Sequence, residues 1–127
     1  MKQALCALIV FGLAACERSP QPPQLCQLER GCTIDVNGET VTVRSDRAPQ
    51  PTRPFVLKVT APRASQVNAQ FEMRGMSMAT PKYRLAQRGA QFDAKIILPV
   101  CVSGRSDWVL TLTVDGESAE VGFSALS

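Results

Sequence analysis

Val67-Asn68-Ala69-Gln70-Phe71-Glu72-Met73-Arg74 alternates apolar and polar residues without a fault. A period of two puts Val67, Ala69, Phe71 and Met73 on one face of a strand and the polar residues on the other. The same alternation recurs at Phe92, Ala94, Ile96 and Leu98, at Trp108, Leu110, Leu112 and Val114, and at Ala119, Val121 and Phe123. Phe55, Leu57 and Val59 supply one more strand. Between the strands around Leu112 and Val121 stands Asp115-Gly116, a pair suited to the two left-handed positions of a type I′ turn, so these strands are expected to be antiparallel neighbours. Asn37-Gly38 joins residues 33–36 to 40–44 in the same way, and Arg88-Gly89 separates 82–87 from 91–98. Prolines 49, 51, 54 and 62 flank the Phe55 strand and mark loops or an edge.

The pattern predicts about seven to eight short strands, turns every eight to twelve residues, and no convincing helix. The expected fold is all-β: an antiparallel immunoglobulin-like β-sandwich, with a small barrel as the alternative.

The chain of 127 residues has room for one such domain. With 45% hydrophobic and 20% charged residues and a formal charge of +3, it has an ordinary globular composition and too mild a charge for a nucleic-acid partner. It contains no His, so the commonest general base and the commonest metal ligand are both missing. Paired carboxylates, glycine-rich phosphate loops and Cys-x-x-Cys motifs do not emerge either, and no enzymatic activity is expected.

Met1-Lys2 followed by the apolar run from Ala4 to Leu13 has the length of a signal-peptide core, not of a membrane span. It ends in Leu13-Ala14-Ala15-Cys16, which resembles the lipobox of bacterial lipoproteins, in which the Cys becomes the lipidated first residue. The expected organisation is a signal peptide at 1–15, a lipidated Cys16 and Pro-rich linker at 16–25, and a β-sandwich at 26–127. The polar stretch Glu17-Arg18-Ser19-Pro20-Gln21-Pro22-Pro23-Gln24 reads as a tether that holds the domain off the bilayer. Glu17 after the Cys is what the lipoprotein resemblance associates with an outer-membrane position in a Gram-negative envelope, facing the periplasm.

Sulfur is concentrated. Met73, Met76 and Met78 fall within six residues at the end of the best strand. Thioethers are soft, neutral ligands that favour Cu(I), and a strand break at Gly75 is what would let the three share a site. The competing expectation is that Met73 packs in the core and that Met76 and Met78 form an adaptable contact surface. Cys26, Cys32 and Cys101 are an odd number in an oxidising compartment. Cys26 could pair with Cys32 around a small loop, or either could pair with Cys101; a leftover thiol such as Cys101 could join the Met cluster. Gly104-Arg105-Ser106-Asp107-Trp108 reads as a binding loop or as a tight turn before a core strand, and Arg74, Lys82, Arg84 and Arg88 as a modest basic face or an ordinary solvated surface.

From Phe55 to Val114 the chain resembles the FixH/YtkA-like group of small bacterial envelope domains. The matching features are Phe71 to Met78 with its Met-rich turn, Pro81, Gly89, Phe92-Asp93-Ala94, Leu98-Pro99, Gly104, and Trp108 to Val114. The resemblance implies an immunoglobulin-like sandwich and a place near copper handling or respiratory-oxidase assembly. The chain departs from the group in lacking a His near the Met segment and in carrying Cys101 after Leu98-Pro99. Two expectations follow. One is Cu(I) binding or delivery through Met73, Met76, Met78 and Cys101. The other is a non-catalytic interaction module whose Met-rich corner contacts an envelope protein such as an oxidase subunit or assembly factor.

Overall fold

The computed structural model describes residues 23–76 and 80–126, so the signal segment, Cys16 and Met78 lie outside the described residues. In chain order the strands are β1 (Gln24–Leu25), β2 (Cys32–Val36), β3 (Glu39–Ser45), β4 (Phe55–Thr60), β5 (Val67–Glu72), β6 (Lys82–Arg84), β7 (Ala86–Arg88), β8 (Gln91–Ile96), β9 (Asp107–Val114) and β10 (Glu117–Ser124). They form two five-stranded sheets, ordered β1-β10-β9-β5-β6 and β2-β3-β4-β8-β7.

The rows β3-β4-β8-β7 and β10-β9-β5-β6 follow the A-B-E-D and G-F-C-C′ order of an immunoglobulin-like sandwich, with β2 and β1 added outside them. Every pairing is antiparallel except that of β1, which runs parallel to β10 through Gln24↔Val121 and Leu25↔Gly122. The two sheets stay separate, which excludes the barrel.

Two differences from the sequence pattern raise the strand number to ten. The first is β1, which lies in residues expected to be linker and is too short to carry a periodic signal. The second is that residues 82–87, expected to be one strand, are two strands in different sheets. Arg84 pairs with Asn68 in the first sheet, the Leu85 N–H donates to Val67 O at 3.0 Å, and Ala86 then pairs with Asp93 in the second. Leu85 is buried where the chain crosses, so its apolar side chain holds the switch between the two layers. Local alternation cannot reveal such a switch, because both halves have the same period.

The hairpins form as their turn residues dictate. Asn37 and Gly38 have φ of 53° and 69°, and Asp115 and Gly116 of 48° and 90°, so both central positions of each turn are left-handed as type I′ requires. The Asp115 carboxylate also accepts the Ser65 N–H at 3.0 Å and the Gln66 N–H at 2.8 Å, tying this hairpin to the β4–β5 loop.

The inward residues of both sheets make one core. Phe71 sits within it, edge-on to Phe55, Tyr83 and Phe123 at centroid distances of 6.4, 6.0 and 6.0 Å. Tyr83 also joins the sheets through its hydroxyl, which donates to Ile97 O and accepts from Ile97 N, both at 3.2 Å. At the β1–β2 edge, Cys26 and Cys32 form a disulfide with Cα atoms 6.0 Å apart. Neither Cys26 nor Cys32 pairs with Cys101, which is a free thiol among the described residues. The linking loop closes because Gly31 takes φ of 85°, allowing its N–H to reach Gln27 O at 3.2 Å.

Candidate functional site

The strand directions bring three loops and the C-terminal residues to one pole of the sandwich. Register fixes this: Phe55 at the start of β4 opposes Ile96 at the end of β8, and Ser124 at the end of β10 opposes Asp107 at the start of β9. Glu72 at the end of β5 pairs with Val109 nearby. The β3–β4 loop, the Met-bearing β5–β6 segment, the β8–β9 loop and residues 125–126 therefore share one end.

Each loop is held by its own backbone bonds. The Thr52 N–H donates to Leu98 O at 2.9 Å, anchoring the proline-rich β3–β4 loop to the end of β8. The Leu126 N–H donates to Pro49 O at 2.8 Å and the Ala125 N–H to Ser106 O at 2.9 Å, pinning the C-terminal residues between two loops. β5 stops at Glu72 because Gly75 adopts φ of 77° and the Met76 N–H closes a turn on Met73 O at 3.2 Å. In the β8–β9 loop the Gly104 N–H closes a second turn on Cys101 O at 3.3 Å, with Gly104 at φ of 73°.

Arg105 couples these two turns. Its Nε and Nη2 donate to the two carboxylate oxygens of Asp107 at 2.9 and 2.6 Å, and its Nη1 donates to Arg74 O at 2.8 Å. The fork-to-carboxylate pairing fixes the guanidinium plane, which in turn fixes the third bond across to the Met turn. The guanidinium holds the Asp107 carboxyl below the usual carboxylate range by hydrogen bonding to it, and Asp107 raises Arg105 in return. Cys101 Sγ lies 2.9 Å from Ser103 Oγ. Its thiol is held below its ordinary value first by the Ser103 hydroxyl, then by the Ser103 backbone, with the charge and backbone of Arg105 adding to the effect.

The sulfur residues divide by environment. Met73 is 3% exposed and belongs to the core, while Met76 is partly buried against it. Cys101 is half-buried on the neighbouring loop. The structure thus brings the Met73–Met76 turn and the Cys101 loop to the same pole and ties them through Arg105, but the burial of Met73 matches its packing role. Among the described residues, no three His, Cys, Asp or Glu side chains gather into a metal-binding group. The basic residues also separate: Arg74 pairs with Glu72 and Glu120, and Arg88 with Asp93 at 3.3 Å. Lys82 and Arg84 stand exposed on the outer face of β6. Arg105, just after the Cys101–Gly104 turn, and Asp107, which opens β9, spend their charges on one another.

Two features of this pole were not read from the sequence. Among the described residues, five large apolar side chains are exposed: Leu25, Ile97, Val100, Val102 and Leu126. The last four lie at this pole, with Val102 fully exposed. The available signal was Ile96-Ile97-Leu98-Pro99-Val100-Cys101-Val102, seven apolar residues that abandon the alternation of β8. The second feature is Trp108, 2% exposed, whose indole Nε1–H has no hydrogen-bond partner among the described residues. No protein-family model, no curated protein and no solved structure matches the chain.

Proposed function

We propose that this protein is a non-catalytic interaction module of the bacterial cell envelope, held to a membrane by lipid on Cys16, which docks an apolar surface of a partner protein on its loop pole. The observation that carries this reading is the convergence of exposed Ile97, Val100, Val102 and Leu126 at one end of the sandwich. Apolar side chains gathered in one place and rimmed by polar loops mark a contact surface, whereas single ones do not. The rigid backing supports the reading, since Arg105, Thr52 and Leu126 lock the loops and little ordering would oppose association. β1 runs parallel to β10, so its chain direction is toward the pole. On the FixH/YtkA-like resemblance the partner is a component of the oxidase assembly machinery.

The test is site-specific photocrosslinking in cells producing the full-length lipoprotein. A photoreactive residue in place of Val102 should yield a discrete adduct that disappears when Val100 and Leu126 are changed to Ser. The same residue in place of Lys58, exposed on the outer face of β4, should yield none. Equal labelling from both sites, or none from Val102, overturns the reading. Fatty-acid incorporation that persists in Cys16→Ser would remove the anchor.

A second reading is favoured by the Arg105 bond to Arg74 O, which holds the Met turn beside the Cys101 loop. In that reading Met76 and Met78, with Met73 and Cys101, bind Cu(I) for delivery. Anaerobic Cu(I) titration decides it: a Met73, Met76, Met78→Leu variant that binds as the parent does, or a parent that does not bind, eliminates copper.

A further inference from the structure

β6 is the outermost strand of its sheet and is bonded on one side only, to β5. The Phe71 N–H donates to Pro81 O and the Leu85 N–H to Val67 O, both at 3.0 Å. In an antiparallel ladder bonded pairs alternate with unbonded ones, so residues 81, 83 and 85 turn their backbone groups toward β5. Lys82 and Arg84, opposite Gln70 and Asn68, turn theirs outward and have no backbone partner among the described residues. This edge therefore presents two N–H and two C=O groups in the spacing that another strand would need. Its side chains are cationic and unneutralised. Both are exposed, their neighbours across the ladder are neutral amides, and neither forms an ion pair among the described residues, whereas Arg74, Arg88 and Arg105 do. On the outer face of the sheet the two cations border a groove of about 220 Å³ that Asn68, Gln70, Thr111 and Thr113 also line; none of the described residues lining it is acidic.

We infer that the β6 edge is a docking site for an extended acidic segment of a partner protein, which joins this sheet as its sixth strand. Bonding to the outward groups of Lys82 and Arg84 sets the register. Residues of the added strand directly opposite these two share their face, so an antiparallel segment carries Asp or Glu at two positions separated by one residue. Those carboxylates meet the cations beside the amides and hydroxyls of the groove. The residue between them faces the other way, next to half-buried Tyr83, and an apolar side chain suits it. The recognised pattern is acid, apolar, acid. Charge decides among occupants. A second copy aligned edge to edge would set Lys82 and Arg84 against the same two cations, which opposes self-pairing, while an acidic strand gains at both positions. This site uses none of the exposed apolar residues of the loop pole and depends neither on lipidation nor on copper.

The probe is the end-blocked peptide Thr-Thr-Glu-Val-Glu-Thr-Thr, titrated to millimolar concentration into the isotopically labelled full-length protein in non-ionic detergent and followed by NMR. Shifts should concentrate in β5 and β6, and amide exchange should slow at Lys82 and Arg84 but not at Tyr83, whose N–H is turned toward β5. The double variant Lys82→Gln, Arg84→Gln should bind roughly fivefold more weakly, the worth of two opposite-charge pairs across strands. Moving the acids out of register, in Thr-Thr-Val-Glu-Glu-Thr-Thr, should weaken binding to the parent, and replacing both Glu by Lys should abolish it. Arg84→Pro removes an outward N–H without removing a bond to β5, so it should weaken binding more than Arg84→Gln does. No shifts in β6, equal binding of the acidic and basic peptides, or full affinity in the double Gln variant overturns the assignment. Exchange at Lys82 and Arg84 that slows with protein concentration in the absence of peptide would give the edge to a second copy and overturn it as well.

Discussion

Reducing the Cys26–Cys32 bond should destabilise the domain by about 2.4 kcal/mol without unfolding it. The two Cys are six positions apart, so the bridge closes a loop of about seven residues, and the chain-entropy relation gives that value. Had either Cys paired with Cys101, the loop would contain about 70 residues and the same relation would give about 4.4 kcal/mol. Local contacts persist after reduction: Cys26 is buried, its N–H donates to Gly122 O at 2.7 Å, and Leu28 is enclosed in the core. Reduction leaves both side chains in place, so it removes the cross-link without creating a cavity. The assay is urea unfolding of a Cys101→Ala protein, oxidised and reduced, followed by Trp108 emission. The melting temperature should fall by roughly 10 °C for a domain of about 100 residues. A difference near zero, or one above about 4 kcal/mol, would refute the small-loop account. A reduced protein that is unfolded in buffer would show instead that the bridge is indispensable for joining the β1 and β2 edges.

Asp115→Ala should cost about 2 kcal/mol in chemical denaturation, because it removes the acceptor of the Ser65 and Gln66 N–H groups and places Ala at φ of 48°; Asp115→Asn should lose less. Leu85→Ala should cost about 3 kcal/mol and raise amide exchange in β6 and β7 together, since this buried side chain holds both halves of the switching segment; exchange that changes in one of them alone would count against it. Asp107→Asn tests the Arg105 pair through pH. The folded carboxyl titrates below its unfolded value near 4, so its contribution is present above that pH and is lost as pH falls through the folded value. The side chain is largely exposed, so the difference from the parent at pH 7 should be no more than about 0.5 kcal/mol and should vanish in acid.

Most of the sandwich was legible because each central strand is solvent-facing on one side. That condition writes itself into the sequence as alternation, as at Val67 to Glu72, and the turn pairs Asn37-Gly38 and Asp115-Gly116 announce themselves by needing left-handed backbone. What escaped was non-local. β1 has two residues and exists only because Val121 and Gly122 offer an open edge. The crossing at Leu85 depends on which neighbour is nearer in space, β5 or β8, and no local period encodes that.

The candidate site divides in the same way. Sequence alone determined that histidine chemistry is absent, that three methionines and an unpaired cysteine are concentrated in the domain, and that Gly75 would break the strand after Met73. Tertiary structure decided which cysteines pair, because Cys26 and Cys32 lie on adjoining edges of the two sheets while Cys101 lies on the loop pole. It also decided that Met73 belongs to the core, that Arg105 reaches across to Arg74, and that the apolar residues after β8 join Leu126 around a cleft bordered by Trp108. The physical reason is one of range. Period and turn chemistry act over a few residues, whereas a shared pole is made by antiparallel pairing of strands dozens of residues apart, a relation that exists only once the sheets have closed on their common core.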